Sequence, residues 1–190
     1  MSGTEFHVHG PHEHAVEHEA QHGDMFAARI AVVTAILSTV GALFAYQAGA
    51  TQNEALLHKN EAAIKKTEAS DQWNFYQAKS SKQNLAELGA TLATGEAADR
   101  MKREVERYKG EKEDIRKEAE RLEAEGKAAN DRSDASMHVH HRWAQAMTLI
   151  QIAISLAAIT LLTRRRWLQY TAYGAGVGGA LLAVAAALHL

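Results

Sequence analysis

Apolar and polar positions are segregated along this chain. Residues 30–50 (IAVVTAILSTVGALFAYQAGA), 144–163 (AQAMTLIQIAISLAAITLLT) and 167–190 (WLQYTAYGAGVGGALLAVAAALHL) contain no Asp, Glu, Lys or Arg. Each has roughly the 20 predominantly apolar residues that carry a helix across a ~30 Å hydrocarbon core. Arg29, Arg142 and the Arg164–Arg165–Arg166 run stand at their edges, with Trp143, Trp167 and Tyr170 in the positions of interfacial anchors. The pattern predicts an all-α membrane protein with three transmembrane helices at 26–50, 144–163 and 167–190, the last two joined by the short basic loop 164–166. The first span begins too far in, and is too long, for a cleaved signal peptide, and it lacks a basic leading region. It is expected to stay as an anchor.

Residues 51–143 read differently. From 52 to 92 the chain is rich in Ala, Glu, Gln, Lys and Leu, all good helix formers. GATLATGEAADR (89–100) then brings two glycines and a Thr–Gly pair, which predicts a turn near 89–99. In the helix that follows, Met101, Val105, Tyr108, Ile115, Ala119 and Leu122 recur at spacings of four and three, with Lys112 at the skipped position. That is a heptad seam with charged flanks, and a single polar residue in such a seam fixes register or oligomer state. In the first arm Leu85, Leu88 and Leu92 make a short seam near the turn. Leu57 and Ile64 start another, which Asp71 interrupts at the next heptad position. The expectation is a coiled-coil-like helical hairpin between the first and second spans, each arm rising about 60 Å at 1.5 Å per residue. The single proline, Pro11, precedes all of this, so spans and arms can continue into one another unbroken. Two helices have little interior for long apolar side chains, which favours pairing with copies or partners.

Within the first arm the run EASDQWNFYQAKS (68–80) sets Trp73, Phe75 and Tyr76 on a polar helix. At about 100° per residue, Trp73 and Tyr76 take neighbouring faces and Phe75 points away. Trp73 and Tyr76 can pack on the returning arm while Phe75 needs another neighbour, and the girdle Trp73, Phe75 and Tyr76 is expected to be a docking surface for subunits or a partner, together with Met101, Val105, Tyr108, Ile115 and Leu122. The same run, between an N-terminal span and a charged hairpin with two closing spans, resembles the bacterial membrane family named domain of unknown function 4337. The resemblance covers Phe26 to the C-terminus and is most specific at Asp71–Gln72–Trp73 and Tyr76–Gln77–Ala78–Lys79–Ser80. It implies a bacterial membrane protein and carries no catalytic, cofactor or binding residue.

Composition narrows the chemistry. A formal net charge of −2 gives no basic footprint for nucleic acid. The absence of cysteine excludes disulfides and thiolate metal sites. The tail 1–25 is histidine-rich: His14, His18 and His22 share a face if the segment is helical, with His7, His9 and His12 before them. Neutral imidazoles so spaced suit Zn, Ni or Cu. A second cluster, His138, His140 and His141, is read as polar interfacial side chains. Gly41, Ala45 and Gly49 in the first span, and Gly174 and Gly178 in the third, are small-residue lines that let helices approach closely in lipid. No phosphate loop, nucleophile elbow or H-E-x-x-H motif is present, so an enzyme is not expected, nor is a cofactor beyond a metal on the tail. The spans lack the ionisable residues typical of ion-coupled transport. The short RRR loop favours a cytoplasmic tail and a periplasmic or extracytoplasmic hairpin in a bacterial inner membrane. The expected role is a homo-oligomeric membrane scaffold or adaptor that contacts the lipid bilayer, its own copies and an envelope protein. The alternatives are a metal- or pH-responsive component using the tail, and a small oligomeric channel.

Overall fold

The computed structural model describes residues 25–188. They form three α-helices: α1 (Met25–Leu92), α2 (Glu96–Thr163) and α3 (Arg166–Ala187). No strand occurs among the described residues. α1 and α2 each run 68 residues without a break, because no proline removes a backbone donor along them. The chain reverses after Leu92: the Ala93 N–H donates to Gly89 O at 2.9 Å, and Gly95 sits at φ +63°. Only glycine takes that left-handed geometry without a Cβ penalty. Glu96 and Asp99 then place negative charge in the first turn of α2, where the helix dipole favours it.

Two compact units result, Asn53–Ser136 and the described parts of Met1–Gln52 with Met137–Leu190. In the second, the three-helix unit, Ala27, Ile30, Ala157, Leu161 and Ala172 form a buried cluster flanked by Phe26 and Leu156. The cluster brings the start of α1, the end of α2 and the start of α3 together. Small residues set the spacing: a Cβ on Gly179 would lie 3.1 Å from Ala146 O and Ile150, and one on Gly41 3.1 Å from Ile150 Cγ2. Thr34 and Thr160 are buried, and each hydroxyl donates to the carbonyl four residues earlier, Ile30 O at 2.8 Å and Leu156 O at 2.7 Å. The outer face carries Val32, Ile36, Leu43, Leu162, Val177 and Leu181, all exposed. All three helices are long and apolar enough to cross a membrane.

The two-arm unit pairs α1 with α2 through a seam of small residues. Ala55, Ala62, Ala69 and Ala86 are buried on α1, facing Val105, Ala119, Leu122, Gly126, Ala129 and Ser133. A Cβ on Gly126 would stand 3.3 Å from Lys65 Cβ and 3.5 Å from Ala62 O, so the backbones are close there. This corrects the seam expected from sequence in the first arm. Leu57, Ile64, Leu85, Leu88 and Leu92 lie outside the seam and are exposed. The α1 side of the seam holds alanine because a longer side chain there would be driven into α2 where Gly126 brings the backbones close, and the distance between helices follows the side chains at the contact.

Candidate interaction surface

The arms are registered by polar contacts at their edges. Ser133 Oγ donates to Ala55 O at 2.8 Å, Lys59 Nζ to Asn130 Oδ1 at 2.6 Å, and Arg132 to both Glu61 oxygens at 3.2 Å. Farther along, Trp73 Nε1 donates to Glu123 Oε1 at 2.8 Å, and Trp73 meets Tyr76 edge-on with ring centroids 5.7 Å apart. Tyr76 lies under Lys112, whose Nζ is 4.8 Å from the ring centroid and donates to Gln83 Oε1 at 3.2 Å. The polar residue in the α2 seam is thereby matched by an amide and an aromatic face on α1.

Lys79 organises the next layer. It donates to Glu111, and its Nζ stands 5.3 Å from the Phe75 centroid and 5.6 Å from that of Tyr108. The hydrogen bond from Lys79 holds the Glu111 carboxyl below its ordinary value, against a smaller opposing effect of desolvation. Glu113 and Glu118 are lowered in the same way by hydrogen bonds from Arg116 and Arg121. These carboxylates lie along α2, in pairs of three- and four-residue spacing that cover its outer face with alternating charge.

The outer face of α1 differs. Leu57 (69% exposed), Ile64 (58%), Phe75 (53%), Leu85 (70%) and Leu92 (77%) follow one another along it. Leu57, Ile64, Leu85 and Leu92 fall on one seven-residue repeat whose two intervening places hold Asp71 and Ala78, both exposed, and Phe75, four residues after Asp71, takes the adjoining heptad position. Helical positions at that spacing share a side, so this is one apolar stripe on an otherwise polar arm.

The residues expected from sequence distribute as follows. Trp73 and Tyr76 are half-buried on the returning arm, and Phe75 is exposed and turned outward. Val105 and Leu122 are buried between the arms, and Met101, Tyr108 and Ile115 are half-buried beside them. Gly41 makes close contact with α2, whereas Cβ atoms on Gly49 and Gly174 would meet nothing within 4 Å. Ala45 is exposed, and a Cβ on Gly178 would stand in ordinary contact with Leu149 at 3.5 Å. The tightest glycines of α3 are Gly176 and Gly179, which the GxxxG spacing passed over. His140 Nδ1 lies 2.8 Å from Ala48 O on α1, while His138 and His141 are exposed. His7, His9, His12, His14, His18 and His22 lie outside the described residues.

Sequence reasoning missed the alanine seam of α1 and the role of Glu123 as acceptor for Trp73. The signal for the first was present: Ala48, Ala55, Ala62 and Ala69 recur every seven residues. Glu123 stands among many glutamates, and nothing local distinguishes it.

Among known proteins, the family model described as domain of unknown function DUF4337 matches residues 26–189. No curated protein and no solved structure matches.

Proposed function

Because the chain belongs to the DUF4337 family, whose description names no activity, we propose its function from the geometry: a non-enzymatic, multi-pass scaffold of the bacterial inner membrane that assembles through its two-arm unit. The observation that carries this reading is the stripe Leu57, Ile64, Phe75, Leu85 and Leu92 on the outer face of α1. Scattered exposed apolar residues are ordinary on protein surfaces, but a repeat on one side of a polar helix is the pattern by which helices pair. The α2 face with its alternating charges is the solvated one. In this reading the α1 arms of neighbouring copies pack stripe to stripe, with Phe75 as the aromatic anchor. Three apolar helices fix the unit in the bilayer. The arginine loop after α2 stays on the cytoplasmic side and the arms lie outside it, as the positive-inside rule requires of a short basic connection.

Native mass spectrometry of the gently solubilised protein, without added metal, is the direct test. A defined homo-oligomer is expected. Phe75→Ala is expected to shift it toward monomer by at least tenfold in dissociation constant, and Phe75→Leu by less, because a leucine keeps most of the apolar contact. A monomeric wild type, or an oligomer indifferent to both substitutions, rejects the stripe as the assembly surface.

A further inference from the structure

The outer face of α2 in the three-helix unit carries a polar group that the rest of the chain does not answer. Thr148, Gln151, Ser155, Ile159 and Leu162 recur at spacings of three and four, so they share one side, and all are exposed. The two hydroxyls are satisfied as donors within their own helix: Thr148 Oγ1 donates to Ala144 O at 2.8 Å, and Ser155 Oγ to Gln151 O at 3.0 Å. The Gln151 carboxamide is not. A Cβ on Gly41 of α1 would stand 3.8 Å from its Nε2, yet among the described residues the side chain makes no hydrogen bond with its two N–H donors or its carbonyl.

Depth is the second observation. Gln151 lies eight residues after Trp143 and thirteen before Arg164, about 12 Å and 20 Å along the helix at 1.5 Å per residue. With α2 spanning a bilayer, a glutamine side chain is too short to bring its amide to the headgroups from there. The other exposed glutamines stand at the polar end: Gln145 is two residues from Trp143, and Gln47 adjoins Ala48, whose carbonyl meets His140. Ser38, exposed within the first span, needs only to turn its hydroxyl onto the preceding turn, as Thr39 does to Ala35 O at 3.1 Å. In hydrocarbon no water meets the Gln151 amide, so it is satisfied by a polar group brought from outside the chain. Copies inserted in one orientation are related by a two-fold axis along the membrane normal, where a residue meets its counterpart at equal depth. A carboxamide carries donor and acceptor together, so two facing glutamines exchange two hydrogen bonds. Thr148 and Ser155, short side chains about a turn to either side, leave room for that approach.

We propose that this face of α2 pairs with the same face of a second copy inside the bilayer, each Gln151 amide hydrogen-bonded to Gln151 of the partner subunit. The inference rests on the membrane-spanning reading above. It adds a contact in the three-helix unit to the arm-to-arm contact, and uses none of the residues of the assembly stripe.

The test uses the full chain in native membranes, which are first washed in alkaline carbonate to read embedding alone. Ser155→Cys, one turn from Gln151 in this cysteine-free chain, is then oxidised in the membrane, with Leu181→Cys on the exposed face of α3 as the control. We expect resistance to carbonate, a disulfide-linked species of twice the chain's mass from Ser155→Cys, and none from Leu181→Cys. The link should persist in a Phe75→Ala background, which removes the aromatic anchor of the arms. Adding Gln151→Leu there should raise the protein-to-lipid ratio needed for half-maximal linking about tenfold, and Gln151→Asn, which keeps an amide, should raise it less. No link at Ser155→Cys, its loss in Phe75→Ala alone, equal linking at Leu181→Cys, a link to a different protein, or linking indifferent to Gln151→Leu overturns the pairing and leaves the membrane reading intact. Release by carbonate overturns the membrane reading itself, and the pairing with it. An oligomer indifferent to Phe75→Ala, with the Ser155→Cys link still dependent on Gln151, rejects the arm stripe and supports this contact.

Discussion

The two units are built on one device and finished for two different surroundings. In each, α1 buries a small residue every seventh position: Ala27, Thr34, Gly41 and Ala48 in the three-helix unit, Ala55, Ala62 and Ala69 in the two-arm unit. In each, a glycine on the facing helix lets backbones approach, Gly179 in one and Gly126 in the other. The outer faces share nothing. Around the three-helix seam the exposed residues include Val32, Ile36, Leu43, Leu162, Val177 and Leu181, without a carboxylate among those described. Around the two-arm seam they are Glu, Lys and Arg, except along the α1 stripe. The seam specifies how the helices meet, and the outer face specifies what they meet it in.

A pair of matched substitutions separates those two statements most sharply. Ile36 (57% exposed) and Ile64 (58%) are isoleucines of the same helix with the same exposure. In water, Ile→Lys at either place would cost within about 0.5 kcal/mol, as surface changes do. With α1 spanning a bilayer, Ile36→Lys sits near the middle of the apolar span and costs about 2.5–3.5 kcal/mol. Thermal unfolding in lipid nanodiscs that each hold a single copy, so that the stripe carrying Ile64 stays unpaired, should show a large loss for Ile36→Lys and little for Ile64→Lys. Equal small effects would remove the membrane from the account of the three-helix unit.

The next effect tests the seam itself. Gly179→Leu forces a side chain into Ala146 O and Ile150, and backbone cannot retreat as a flexible side chain can. Overpacking of this kind costs about 1–3 kcal/mol. Gly174→Leu, on the same helix and in open space, should be close to neutral. A thermal-shift series in detergent resolves the two, and equal losses would mean that the α2–α3 contact is not the close one described.

These contrasts also explain what could be read from sequence. Three apolar blocks, the lack of proline and the Thr–Gly pair at 94–95 made the helices and the reversal legible, because each is a local signal. The α2 seam was legible through Val105 and Leu122, large residues at heptad spacing. The α1 seam was not, because alanine carries little hydrophobic contrast, and leucines at the same spacing on the other face drew the pattern toward themselves. Which leucine stripe is inside depends on the distance between the helices, and only Gly126 and the alanines opposite set that distance. For the same reason the outward turn of Phe75 was readable from its angle to Trp73, whereas the partner of Trp73 was not.

Acid should act on one unit and spare the other. The Glu111, Glu113 and Glu118 carboxyls are held below their ordinary value by hydrogen bonds from Lys79, Arg116 and Arg121. Groups with depressed folded values contribute stability above the unfolded value of about 4.3, and that contribution is lost as pH falls through the folded value. The window therefore opens at about pH 4.3 and extends downward. The three-helix unit has no carboxylate among its described residues and should not respond there. Trp73 alone reports on the two-arm unit, so its fluorescence in a Trp143→Phe, Trp167→Phe background should follow the acid transition. Circular dichroism of the same sample should retain a fraction of helix after that transition. A single transition that removes all the helix would join the units into one cooperative body.

The smallest expected change in stability falls on Lys112, where the two kinds of surface meet within one seam. Its ammonium stands over Tyr76 and donates to Gln83, contacts worth about 0.5–1 and 0.5–1.5 kcal/mol respectively. Lys112→Leu forfeits both and leaves the Gln83 carbonyl to water, which its partial exposure permits. Against that, the leucine removes apolar area from water at about 25 cal/mol per Å², a gain of comparable size. The two terms nearly cancel, so the melting temperature should move by only a few degrees. Register is another matter. With Lys112 in place, a slip of one heptad would separate the ammonium from its amide and its ring; with leucine, slipped pairings lose that penalty. Cysteines introduced in pairs at Ala69 and Ala119, and at Ala62 and Ala119, would trap the native and displaced registers in this cysteine-free chain. Wild-type Lys112 should favour one of the two crosslinks, and Lys112→Leu should let the other rise. One crosslink in both backgrounds would show that the alanine seam alone holds the arms in place, and Lys112 would then be an ordinary solvated lysine.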